Sequence, residues 1–172
     1  MIIIKSLILV MILGASTWVG FLVSGKYKNR VNDLNEMKNA LVMFETKVRY
    51  TYEAIPEIFS QIAQSFNSNQ SSIGRIFKIA CENMKYSPAG DAWNLALDVT
   101  DTNMNKEDIK ALKGLHKLLG KTDVEGQLSE IELTTSFLDI QITQAIKEKE
   151  KNEKLYKTLG MITGLAIVII LI

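Results

Sequence analysis

The chain has 172 residues, 47% of them hydrophobic and 23% charged, with 20 Lys and Arg against 19 Asp and Glu. That length is about one domain, and the near-balance of charge lacks the basic excess that drives phosphate binding, which argues against a nucleic-acid binder. One cysteine, Cys81, and one histidine, His116, leave no intrachain disulfide and no zinc-ligand spacing.

Lys5 apart, every charged side chain lies between Lys26 and Lys157. Ile2 to Val23 is long enough as a helix to cross about 30 Å of hydrocarbon, with Lys5 near enough to the end to snorkel. It is long for the core of a signal peptide, no clear Ala-x-Ala site follows, and a retained anchor is expected. Leu155 to Ile172, about 27 Å as a helix, is expected to be a second span. Lys26, Lys28 and Arg30 follow the first, and Lys147, Lys149, Lys151, Lys154 and Lys157 precede the second. Basic flanks face the cytoplasm, so the middle is expected there and both termini outside. Small residues recur at four-residue spacing, at Ser16, Gly20 and Ser24 and again at Gly160 and Gly164. That spacing lets helices pack closely in lipid and allows homo-oligomerisation.

Between the spans, period 3.6 dominates and no strand alternation is convincing. Val31, Leu34, Met37, Leu41, Phe44, Val48, Tyr52 and Ile55 form one apolar stripe, which can continue out of the first span. Pro56 opens a second helix with the face Ile58, Phe59, Ile62 and Phe66. "NSNQSS" (Asn67 to Ser72) is a polar loop. A third helix carries Ile73, Ile76, Phe77, Ala80 and Met84, with Cys81 expected in the core beside them. Pro88 starts a fourth, carrying Trp93 and Leu97. Asn105 with Asp108 makes a capping box for a fifth, whose stripe is Ile109, Leu112, Leu115 and Leu119. His116 on that helix is expected to be a solvated surface residue. The sixth, long helix holds Leu128, Ile131, Thr135, Leu138, Ile142 and Ala145 and then "KEKEKNEKLYK", from where it can run into the second span.

"GLHKLLGKTD" (Gly114 to Asp123) ends like a phosphate-binding loop. Such a loop needs four residues before its Gly-Lys pair and must follow a strand. Here Gly114 and Gly120 enclose five residues, and residues 105–119 read as helix. Gly120 suits a left-handed helix terminus, and Thr122 with Glu125 suits a capping box. The segment is read as a corner between helices, and no cofactor is expected. Glu125, Glu130, Glu132 and Asp139 could meet across helices, but acids on a bundle are mostly solvated. His116 has no evident nucleophile beside it, so an enzyme is not expected.

"LGKTDVEGQLSEIEL" (Leu119 to Leu133) and "KNEKLYKTLGMITGLAIVIILI" (Lys151 to Ile172), with "YTYEAIPEIF" (Tyr50 to Phe59) and "GDAWNLAL" (Gly90 to Leu97), resemble the stage III sporulation protein AB family of endospore-forming bacteria. Gly120, Asp123 and Gln127 match its corner signature and are expected to serve the turn and its packing. The resemblance implies a helical domain similar to the cytoplasmic domain of the type II secretion F platform protein. It implies as partners a secretion-type ATPase and the other membrane subunits of a channel between mother cell and forespore. The F-type platform carries two helical domains and three spans, whereas this chain reads as one domain and two spans.

The expected architecture is thus all-α: a six-helix bundle at 26–154, tethered by membrane helices at 1–25 and 155–172. The expected role is a non-enzymatic scaffold in the mother-cell membrane. The alternative is a membrane-anchored adaptor or receptor-like protein that senses a ligand or partner through its bundle.

Overall fold

The computed structural model describes residues 2–51, 53–117, 119 and 124–171; at 2–10, 12, 13, 16, 17, 157, 168, 170 and 171 it describes the backbone alone. Among the described residues there are six α-helices and no strand. They are α1 (Ile2–Tyr50), α2 (Ile55–Ser65), α3 (Ser72–Asn83), α4 (Ala89–Val99), α5 (Lys106–Lys113) and α6 (Val124–Leu171), with a 3-10 turn at Gly114–Lys117 after α5. The chain divides into two compact units: Asn32–Thr143, and Met1–Val31 together with Gln144–Ile172.

Local chemistry sets the helix boundaries in the first unit. Pro56 sits in the first turn of α2, where its missing N–H costs nothing, behind Ala54 in extended geometry. At the far end, Asn67 takes φ 48°, a left-handed conformation that asparagine tolerates better than most residues. The Ser68 N–H then donates to the Ala63 carbonyl and the Asn67 N–H to the Gln64 carbonyl, each at 3.1 Å, which satisfies carbonyls left open at a helix end. The polar "NSNQSS" stretch is therefore an ordered turn. The Ser71 hydroxyl accepts from the Ile73 and Gly74 amides at 3.1 Å and donates to Glu36 Oε2 at 2.5 Å. One serine thus caps α3 and ties it to α1. Asn105 and Asp108 form the expected reciprocal cap on α5, each side chain accepting at 2.8 Å from the other's amide.

The core of this unit is built around four rings. Phe59 lies 5.2 Å from Phe44, 4.9 Å from Phe77 and 5.7 Å from Trp93, and Phe77 lies 5.3 Å from Trp93. Their tilted and edge-on geometry is the favourable one for aromatic pairs. Leu34, Met37 and Leu41 of α1, Ile58 and Ile62 of α2, Ile73 and Ile76 of α3, and Leu112 of α5 are buried with them. The indole Nε1–H of Trp93 donates to the Leu112 carbonyl at 2.8 Å. That bond gives a buried polar group its partner, as close packing requires.

Four expectations are corrected. The fifth helix does not continue to Leu119: it gives way at Gly114 to a 3-10 turn. Glycine is a poor interior helix residue, and the tighter turn carries Leu115 into the core. On α6, Thr134 is buried and Thr135, which donates to the Ile131 carbonyl, only half-buried. Cys81 is half-buried at the edge of α3, with its Sγ 3.3 Å from the Pro56 carbonyl as donor. His116 is partly covered, because the 3-10 turn presses it against the start of α4. Tyr52, at the end of the expected first stripe, lies outside the described residues.

In the second unit α1 and α6 run antiparallel. Gly20 faces Tyr156 and Gly160, the Tyr27 and Tyr156 rings stack at 5.9 Å, and Arg30 pairs with Glu148 at 2.7 Å. The segments expected to span, 1–25 and 155–172, are helical at every residue described. Among the described residues, however, no helix is long and apolar enough to cross a membrane.

Candidate functional site

Within the Asn32–Thr143 unit, α5 and α6 run side by side. They leave a groove of about 820 Å³ between them. Gly114 and Glu130 mark one end, where a Cβ on the glycine would stand 3.7 Å from Glu130 Oε1. Glu107 and Gln141 lie towards the other. Thr134 and Gln141 are buried at its base. Its wall is an apolar stripe of α6: Leu133, 66% exposed, Ile140, 65% exposed, and the half-buried Phe137 between them. These positions are i, i+4 and i+7, so they share one helix face over about 10 Å.

Charge divides sharply around these helices. Arg49 binds Glu132 at 3.1 Å, Lys38 binds Asp139 at 2.5 Å, and Lys113 binds Asp98 at 2.5 Å. The acids considered above therefore do not meet one another; Glu132 and Asp139 bind bases instead. By contrast Glu107, Lys110 and Glu130, all on the groove, make no ion pair with any described residue. Exposed pairs contribute only about 0–1 kcal/mol each, so the bridges tell more about which face is used up than about stability.

Of the corner residues, Gly120, Thr122 and Asp123 lie outside the described residues. Glu125 is exposed in the first turn of α6 and Gln127 is buried. The segment before the corner is α5 and the 3-10 turn. His116 Nδ1 lies 3.6 Å from Asp91 Oδ1 and has no hydrogen-bond partner among the described residues. Burial pushes the Cys81 thiol up from its ordinary value, which makes it a poorer nucleophile. Among the described residues no group of His, Cys, Asp and Glu could hold a metal ion.

In the other unit the small residues cluster. Gly20 and Gly164 are buried, Gly160 is half-buried, and the buried Ser24 donates to the Phe21 carbonyl at 2.9 Å. Ser16 is helical. A Cβ on Gly20 would stand 2.7 Å from the Tyr156 carbonyl oxygen and 3.3 Å from Gly160 Cα. Gly20→Leu is therefore expected to force α1 and α6 apart and to cost about 1–3 kcal/mol. Gly25→Leu, at a site with nothing within 4 Å, should leave the pair intact. Spin labels on the two helices, measured in detergent, check this: equal distances in both variants would contradict the close approach.

The wall of the groove was not anticipated. Of the apolar stripe read from the sequence of α6, Ile131, Leu138, Ile142 and Ala145 face the core and Leu128 is half-buried. A second stripe, Leu133, Phe137 and Ile140, was present at the same helical period beside it.

The described residues define an all-helical protein with an open groove along α5 and α6. The chain belongs to the stage III sporulation protein AB family, whose model matches residues 5–172. It is 29% identical over 164 residues to stage III sporulation protein AB of Bacillus subtilis (strain 168), covering 94% of this chain and 95% of that one. A solved structure of stage III sporulation protein AB superposes with a TM-score of 0.63 at 20% identity, covering 72% of this chain and 98% of that chain. That last likeness concerns the fold.

Proposed function

We propose that this chain is a non-enzymatic platform subunit of the mother cell–forespore channel complex required for endospore formation. In this reading α1 and α6 cross the mother-cell membrane at 1–25 and 155–172, and the helical domain at 26–154 lies in the cytoplasm. There it couples a secretion-type ATPase to the membrane rings. The observation that carries the reading is the family match running along nearly the whole chain, from residue 5 to residue 172. The membrane assignment draws support from large apolar side chains left exposed on both terminal segments, among them Trp18, Phe21, Leu22, Leu159, Ile162 and Leu165. An exposed apolar surface of that extent needs lipid or protein to cover it. The lysines beside both segments supply the cytoplasmic orientation.

Topology is the test. Cys81→Ser keeps a donor toward the Pro56 carbonyl, and Asn69→Cys places one thiol on the exposed turn between α2 and α3. An impermeant thiol reagent should fail to label intact cells and should label them fully once opened. Labelling of intact cells would put the helical domain across the membrane, out of reach of a cytoplasmic ATPase, and would end the coupling role.

A further inference from the structure

We propose that the α5–α6 groove receives an amphipathic helix from a partner protein, one that carries Lys or Arg beside its apolar face. The shape of the apolar wall selects a helix. Leu133, Phe137 and Ile140 repeat at helical spacing along about two turns, and a groove between two helices accepts a third through anchors at that same spacing. Leu133 and Ile140 stand two-thirds exposed, so their apolar surface is covered only when something lies on it. A small molecule would meet few convergent polar groups here, because the groove is open and its wall is hydrocarbon.

The rim selects the partner's charge. Glu107 and Glu130 stand at opposite ends of the groove with Lys110 between them. None of the three is paired with a described residue, while acids elsewhere on α4 and α6 hold internal bases. Asp108, which neighbours Glu107, is buried in the α5 cap and adds nothing to the rim. Two free acids against one lysine favour a partner with basic flanks, and such complementarity governs which partners are admitted. A second copy packed groove to groove would bring the same two-acid rim and a second concave surface, which matches neither the charge nor the shape.

The test uses the full chain in sporulating cells, with p-benzoylphenylalanine in place of Leu133, Phe137 or Ile140, one at a time. Leu133 and Ile140 are exposed enough to accept the larger ring without disturbing the core. After irradiation, mass spectrometry identifies the attached segment. The expected result is one partner segment captured from all three positions, helical in pattern and flanked by Lys or Arg. It should be absent when the same label replaces the exposed Tyr86. Glu107→Lys with Glu130→Lys should reduce that adduct about tenfold or more. Failure of all three positions to capture protein would overturn the proposal. So would an acid-flanked segment, lipid alone, or adducts between isotopically distinct copies of this chain.

Discussion

Trp93→Ala should lower the unfolding free energy of the helical unit by about 3–5 kcal/mol, the range for deleting a large buried aromatic. Trp93 is fully buried, packs on Phe59 and Phe77, and supplies the donor for the Leu112 carbonyl. Three losses coincide: ring contacts, cavity formation and the indole hydrogen bond. Trp93→Phe separates them, since it keeps most of the packing but removes the indole donor, leaving the Leu112 carbonyl to the Gly114 N–H. A hydrogen bond of this kind contributes about 0.5–1.5 kcal/mol, so Trp93→Phe should fall between wild type and Trp93→Ala. Thermal unfolding of the full chain in detergent, followed by circular dichroism, measures both. If Trp93→Ala melts with wild type, the four-ring cluster is not the centre of stability. Domains of this size hold only about 5–15 kcal/mol in total. The alanine variant should therefore be depleted in cells.

How much of this was legible depends on which signals are local. Pro56, the Asn105–Asp108 pair and the Pro88 break act within one turn of backbone, and the helices begin where those residues require. The buried faces of α2, α3 and α4 followed from period alone, because each short helix has a single apolar stripe. Long α6 was different. It carries two stripes at the same period, and only the neighbours decide which is covered. Helix α5 has eight residues before Gly114 ends it. It lines the groove yet leaves Leu133 and Ile140 about two-thirds exposed, and that placement is a tertiary fact. The groove was invisible for the same reason that the fifth helix was read too long: both depend on how the chain turns at Gly114. The side of α3 on which Cys81 falls also depends on packing, since it lies one position beyond buried Ala80.

Gly90→Ala should destabilise the helical unit by about 2–3 kcal/mol, the upper range for forced overpacking. The substitution would ordinarily help, because alanine is better than glycine inside a helix by about 1 kcal/mol. Here the added Cβ would fall 2.2 Å from the His116 carbonyl oxygen and 2.9 Å from His116 Nδ1. The nearer obstacle is backbone, so no side-chain rotation relieves it; α4 or the 3-10 turn must move. His116→Ala in the same chain should therefore give little rescue. Full rescue would show that the imidazole is the obstacle and would contradict the backbone contact. Gly114→Ala is the matched control. Gly114 has helical geometry at φ −55° and ψ −34°, and its Cβ would meet nothing nearer than Glu130 Oε1 at 3.7 Å. It should be neutral or stabilising by up to about 1 kcal/mol. Gly90 packs against His116 of the turn that Gly114 begins, and Gly114 lines the groove. If Gly90 holds the turn in place, Gly90→Ala should reduce partner capture at Leu133 in step with the loss of folded protein. The Glu107→Lys and Glu130→Lys pair should reduce capture at unchanged melting temperature, which separates a damaged scaffold from a damaged contact.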